Sequence, residues 1–157
     1  MTGFTRRTVD PYRDTAVIDA RAPRANQTFV AVMALLALVL SAPWLVVLVA
    51  AQLAVGLTLG RRWCLPCLVY FELIQPRFGE GPIEDARPPR FSNILGACVL
   101  AAATASFVAG MPTIGWALTA VVAGLAGLAA VSGLCVGCVL YRRLFGCEMC
   151  DARFAAR

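Results

Sequence analysis

Asp19-Ala20-Arg21-Ala22-Pro23-Arg24 recurs as Asp85-Ala86-Arg87-Pro88-Pro89-Arg90, and this repeat decides how the rest of the chain is read. An apolar stretch follows each copy. Each stretch is broken midway by a proline with a tryptophan soon after, as Ser41-Ala42-Pro43-Trp44 and as Met111-Pro112-Thr113-Ile114-Gly115-Trp116. Each stretch then leads into a CxxC with a tyrosine three residues beyond it: Cys64-Leu65-Pro66-Cys67 with Tyr70, and Cys135-Val136-Gly137-Cys138 with Tyr141. Several matched features in one order define a duplicated unit. The unit reads as an Arg-rich start, a helix out, a short turn, a helix back and a CxxC.

Charge placement says what these helices are for. No formal charge occurs from Ala25 to Gly60 or from Phe91 to Tyr141, stretches of 36 and 51 residues. A bilayer core of about 30 Å takes about 20 apolar residues per helix, so each stretch accommodates two spans. Hydrophobic residues make up 60% of the chain and charged ones 15%, which is more apolar and less charged than a typical soluble domain. The expected fold is therefore an all-α membrane protein, with four transmembrane helices as two tandem helical hairpins of parallel topology. The helices are expected near 26–41, 44–62, 92–110 and 115–140, and the second is expected to continue through its cysteines to about Ile74 with a kink at Pro66. The chain divides into an N-terminal segment 1–25, a first hairpin 26–74, a linker 75–91, a second hairpin 92–145 and a tail 146–157. Small residues such as Ala101-Ala102-Ala103 and Gly124-Leu125-Ala126-Gly127 suit close helix packing in lipid.

Two spans per unit return the chain to the side it left. Both Arg motifs, both CxxC motifs and both termini then share one side, and the opposite turns hold no Arg. The positive-inside rule assigns that side to the cytoplasm of a bacterial inner membrane, with the lipid bilayer as the first partner. All 14 basic residues are Arg, and they flank the apolar stretches. They form no basic helix face interleaved with aromatics, so a nucleic-acid partner is not expected. Arg6-Arg7 is followed by no apolar region until about Thr28, which argues against a twin-arginine or cleavable signal peptide.

The seven cysteines carry the candidate chemistry. Six form three CxxC pairs, Cys64/Cys67, Cys135/Cys138 and Cys147/Cys150, while Cys98 stands alone in the third span, where a small buried apolar role is expected. Thiols at i and i+3 share a helix face, close enough to form a disulfide or to bind one metal. The chain has no His. That excludes His-based acid–base catalysis and CxxCH haem attachment, and it requires any zinc site to be all-thiolate or completed by a carboxylate. Both main pairs are expected near the cytoplasmic end of a returning helix, where the dipole disfavours a thiolate. Arg61, Arg62, Arg142 and Arg143 are expected to outweigh that if they point at the sulfurs. Cytosolic thiols are normally reduced, so cytosolic CxxC pairs are usually metal-binding, catalytic or redox-sensing.

Gln75-Pro76-Arg77-Phe78-Gly79, Glu84-Asp85-Ala86-Arg87-Pro88-Pro89-Arg90-Phe91 and Cys135-Val136-Gly137-Cys138 with Tyr141 resemble the motifs of a family of small bacterial four-helix membrane proteins described as a domain of unknown function. The resemblance covers most of residues 15–145. It implies the four-helix fold and the importance of Cys135 and Cys138, since the family carries its CxxC in the last helix. Cys64/Cys67 and Cys147/Cys150 stand as additions to that pattern. The resemblance also implies association with thioredoxin-like or sulfur-transfer proteins.

Three functions follow. The first is thiol redox or sulfur handling, which needs no cofactor. Cys135 and Cys138 form the main pair, Cys64 and Cys67 a second, and Cys147 and Cys150 pass electrons to a thioredoxin-like partner. The second is binding of zinc or another thiophilic metal, either by Cys64, Cys67, Cys135 and Cys138 together or by Cys135, Cys138, Cys147 and Cys150. The third is a structural or assembly subunit of a larger membrane complex, held through Arg21, Arg24, Arg87 and Arg90.

Overall fold

The two copies of the Asp-x-Arg motif start their helices identically in the computed structural model, which describes residues 9–145. The Arg21 N–H donates to Asp19 Oδ1 and the Arg87 N–H to Asp85 Oδ1, both at 2.9 Å. Each aspartate thus satisfies an N–H that the first helical turn leaves without a partner. Pro23, Pro88 and Pro89 lie in those first turns, where a missing donor costs nothing.

In chain order the elements are β1 (Val17–Asp19), α1 (Arg21–Val39), α2 (Pro43–Thr58), a 3-10 turn (Arg61–Trp63), α3 (Leu65–Val69), a π-helical segment (Tyr70–Ile74), α4 (Gln75–Phe78), β2 (Ile83–Asp85), α5 (Arg87–Val108), α6 (Pro112–Ser132) and α7 (Val136–Phe145). α1 packs on α6 and α2 on α5, so each repeat lays its helices against the other repeat. The shared core holds Val30 and Ala37 of α1, Val46 and Val49 of α2, Leu100 of α5 and Val122 of α6. The outside is apolar as well: Val108 and Val131 are 85% and 91% exposed. An apolar exterior on apolar helices fits lipid as the surrounding solvent. Among the described residues three helices, α1, α5 and α6, are long and apolar enough to cross a membrane. α2 is apolar but has 16 residues.

The repeat is realised as an internal two-fold. β1 and β2 pair antiparallel, with Val17 opposite Asp85, Ile18 opposite Glu84 and Asp19 opposite Ile83. Ile18 and Glu84 occupy equivalent places in the two copies, so the pairing is symmetric about them. The flanking bonds obey the same symmetry: the Ala20 N–H donates to the Pro82 carbonyl at 2.9 Å and the Ala86 N–H to the Ala16 carbonyl at 3.0 Å.

The far turns match too. α1 ends with Ala42 N–H on the Ala37 carbonyl and Ser41 N–H on that of Leu38. α5 ends with Met111 N–H on the Ser106 carbonyl and Gly110 N–H on that of Phe107. This is the Schellman closure, which puts its C′ residue in the left-handed region. Gly110 has φ +74° there, and Ser41 has φ +50°. A side chain in that region costs about 1 kcal/mol. Ser41→Gly is therefore expected to stabilise the chain, and Gly110→Ala to destabilise it, each by about 1 kcal/mol, read as opposite shifts of the thermal midpoint in detergent.

Four local expectations are corrected. The fourth helix does not run through 115–140: it stops at Ser132, Gly133 turns left-handed with φ +74°, and α7 starts afresh at Val136. The second helix does not continue through its cysteines, because Gly60 with φ +88° and the 3-10 turn end it. Pro66 therefore opens a new helix in its first turn and kinks nothing. Cys98 is exposed on the outer face of α5. Gly124 and Gly127 have open space where a side chain would go, so they mediate no close helix contact within the chain.

Candidate functional site

Both CxxC motifs lie where a new helix begins. The Leu68 N–H donates to the Cys64 carbonyl at 2.8 Å and the Val139 N–H to the Cys135 carbonyl at 3.0 Å. Each first cysteine is thus the half-in residue of its helix start. The breaks after α2 and α6 make this arrangement possible, and they reverse the dipole expected from the sequence. A sulfur beside a helix start meets the positive end of the peptide dipoles.

The two pairs differ in state and surroundings. Cys64 and Cys67 form a disulfide, with Cα atoms 5.2 Å apart. Cys64 is buried against Gly56, and Cys67 packs on the cluster of Ala22, Tyr70 and Phe71. The segment before β1 covers this end. Tyr12 stacks edge-on to Phe71, its hydroxyl donates to Glu72 at 2.7 Å, and the Arg62 guanidinium sits 5.4 Å over its ring. Arg61 donates to the carbonyls of Pro11, Asp14 and Thr15 at 3.0–3.1 Å. Burial lowers its pKa. These two arginines fasten the cover.

Cys135 and Cys138 are free thiols, each partly buried. Cys135 Sγ lies 3.1 Å from Ser92 Oγ of α5. The hydrogen bond from Cys138 is the largest influence holding the Cys135 thiol down at about 6. Ser92 and Gln27 add to it, and burial opposes it. Cys138 moves the opposite way, because it shares its proton with Cys135 and is itself buried. One sulfur is therefore a ready thiolate and the other keeps its proton. Hydrogen bonds supply this difference. The contribution expected from arginine is confined to Arg142, which acts on Cys138.

Gly137 allows α7 to come this close to α5. A Cβ there would stand 2.6 Å from Ser92 Oγ and 2.9 Å from Ser92 Cα. Backbone cannot yield as a side-chain tip can, so Gly137→Ala is expected to push the start of α7 off Ser92. The midpoint of Cys135 alkylation against pH should then rise, with Ser92→Ala giving a smaller rise of the same sign.

Two cavities meet at Cys135. The more polar one, of about 190 Å³, includes Arg24, Asp85, Cys138 and Arg142 in its wall. The other, of about 320 Å³, is mostly apolar and reaches between the helices. Gln27 and Cys135 border both.

Asn26, Gln27, Ser92 and Asn93 form a polar patch in the wall of the apolar cavity. The Asn26 side-chain amide donates to Asn93 Oδ1 at 3.1 Å, and Cys64 Sγ lies 3.9 Å from Asn26 Oδ1. Asn26 and Ser92 are equivalent in the repeat, and each stands beside the first cysteine of its own copy. Each pair thus has a member of this patch beside its first sulfur, and among the described residues no three Cys, Asp or Glu groups converge as a metal site. Cys147 and Cys150 lie outside the described residues. Arg21, Arg24, Arg87 and Arg90 are all exposed, and only Arg24 borders the polar cavity.

A family model, described as Domain of unknown function (DUF4395), matches residues 18–145. The chain belongs to this family. No curated protein and no solved structure matches it. The matched span of the DUF4395 chain takes in both CxxC motifs, the polar patch and all four main helices. Sequence reasoning passed over Asn26, Gln27, Ser92 and Asn93, although a signal existed. They are polar residues at equivalent positions at the head of two otherwise apolar stretches, where a solvated or site-building role needs explaining.

Proposed function

We propose that the chain is a multi-pass thiol–disulfide exchange protein of the bacterial inner membrane. Cys135 is its attacking thiol and Cys138 its resolving thiol. The observation that carries this is the placing of one CxxC: Cys135 stands at the start of α7 with its sulfur 3.1 Å from Ser92 Oγ and borders two cavities, surroundings that lower its pKa while that of Cys138 is raised. Exchange needs that split: a thiolate to attack a disulfide, then a second thiol to release the product. In this reading α2 is the fourth span. Its 16 residues reach about 24 Å, and the bilayer thins locally to meet it. The two helical hairpins run in parallel, and the arginines place the CxxC end and both termini in the cytoplasm. A disulfide there is of the transient, catalytic kind, which suits Cys64–Cys67 as the second exchanging pair. Cys147 and Cys150 exchange electrons with a thioredoxin-like or sulfur-transfer partner.

Trapping tests the assignment. In cells, Cys138→Ser leaves a mixed disulfide on Cys135 unresolved, so a slower-migrating species should accumulate on non-reducing gels and vanish with reductant. Cys135→Ser should accumulate none. Adduct of equal amount in both variants, or in neither, overturns the assignment.

A further inference from the structure

The apolar cavity beside Cys135 has no part in exchange with a soluble partner. It is walled by residues such as Val30, Leu53, Val99 and Val122. At its rim, Leu95, Val121, Leu125 and Leu140 are each 38–54% exposed, so it opens on the apolar outer face among α5, α6 and α7. Its wall also includes the amides of Asn26, Gln27 and Asn93 and the hydroxyl of Ser92, together with Cys135. Its volume of about 320 Å³ is within the range of small-molecule sites, which combine apolar walls with a few placed polar groups. Neither it nor the polar cavity touches Cys64 or Cys67.

We propose that this cavity takes the ring of a membrane-soluble quinone, and that the quinone oxidises the Cys135–Cys138 dithiol. The inference rests on the exchange reading of that pair. The occupant must enter from lipid, be uncharged, and present acceptors to the amide and hydroxyl groups that line the pocket beside Cys135. A quinone does this with its ring carbonyls, whereas an acyl chain has no acceptor to bring there. It must also accept two electrons, because that is what a dithiol loses on closing to a disulfide.

The step balances as follows. The Cys135 thiolate adds to a ring carbon, forming a C–S bond, and a ring oxygen takes up a proton from the polar cavity. Cys138 gives up its S–H proton, and its sulfur attacks Cys135 Sγ. The S–S bond forms as the C–S bond breaks, and the C–S electron pair returns to the ring. The second oxygen is protonated, and hydroquinone leaves. The net change is a dithiol plus a quinone giving a disulfide plus a hydroquinone. The polar cavity then admits the soluble thiol that resets the pair.

The full chain, reduced and held in detergent, is mixed either with decylubiquinone or with hydroxyethyl disulfide. Quinone absorbance and remaining thiols are followed. Wild type should react with both and lose two thiols per hydroquinone formed, whereas Cys135→Ser should reduce no quinone and should react with hydroxyethyl disulfide only through its remaining pairs. At Gly96 a Cβ would meet only Leu53 Cδ1, at 3.7 Å, so Gly96→Leu extends into the cavity. Val99→Phe fills it from a second position. In both variants the ratio of quinone rate to disulfide rate should fall about tenfold, as overfilling a packed site costs on that order. If wild type reacts with hydroxyethyl disulfide but not with the quinone, the quinone site is wrong and the exchange reading stands. If it reacts with neither, both fall. An unchanged ratio in both cavity variants, or quinone reduction by Cys135→Ser, also overturns the site.

Discussion

Iodoacetamide should label Cys135 at a rate that climbs through about pH 6 and is flat above pH 7, with Cys138 absent from the product. The sign follows from the Cys135 thiol standing at about 6 instead of 9.0. Only the thiolate reacts, so the rate follows the fraction deprotonated and rises with pH until that fraction saturates. At pH 7 about nine-tenths of such a thiol is thiolate, against about one-hundredth for an ordinary one. A low-pKa thiolate is also a weaker nucleophile, so the net advantage in rate is about three- to sixfold, and the displaced midpoint is the larger signature. Cys138→Ala removes the largest stabilising hydrogen bond and should move the midpoint up. A wild-type midpoint near 9 would remove the basis for calling Cys135 the attacking thiol.

Asp19→Ala should cost more stability than Asp85→Ala, although the two residues are equivalent in the repeat. Asp19 is 3% exposed, and its Oδ2 accepts from the Tyr70 hydroxyl at 2.9 Å, Gln75 Nε2 at 3.2 Å and the Gly81 N–H at 2.8 Å. Burial, together with the bond to Asp19, raises the pKa of Tyr70, so its hydroxyl stays a donor across the physiological range. Removing the carboxylate strands two buried donors, Tyr70 and Gln75, at about 1–3 kcal/mol each, so a loss of about 2–6 kcal/mol is expected. The Asp85 side chain is 9% exposed and faces the exposed Arg87 at 3.7 Å, but it does not gather the three donors that Asp19 Oδ2 does. Losing its helix-start bond should cost about 1 kcal/mol. Thermal midpoints of the two variants in detergent compare them directly. Equal losses would mean that the Asp19 network does not hold the CxxC end together.

The duplication was legible residue by residue, down to the Pro43 and Pro112 turns and the two CxxC positions. Side-chain order along the chain preserves such a pattern whatever the packing does with it. The short sheet was not legible, because β1 and β2 are three residues each and their pairing joins segments far apart in sequence. The helix breaks at Gly60 and Gly133 were missed because a lone glycine in an apolar run is also tolerated inside a helix. That one misreading put both cysteine pairs at the wrong end of a dipole.

The sequence by itself determined the apolar helices, the shared face for arginines and cysteines, and the family. All of these depend on composition and spacing, which are local and additive. The tertiary structure alone decided that equivalent CxxC motifs would become unequal. Cys64/Cys67 lies as a disulfide under Tyr12, Phe71 and the arginine-fastened cover. Cys135/Cys138 faces two cavities with Ser92 and Gln27 at its sulfur. A thiol's reactivity is set by what lies within a few ångströms of it, and those neighbours come from helices 40 to 110 residues away in the chain.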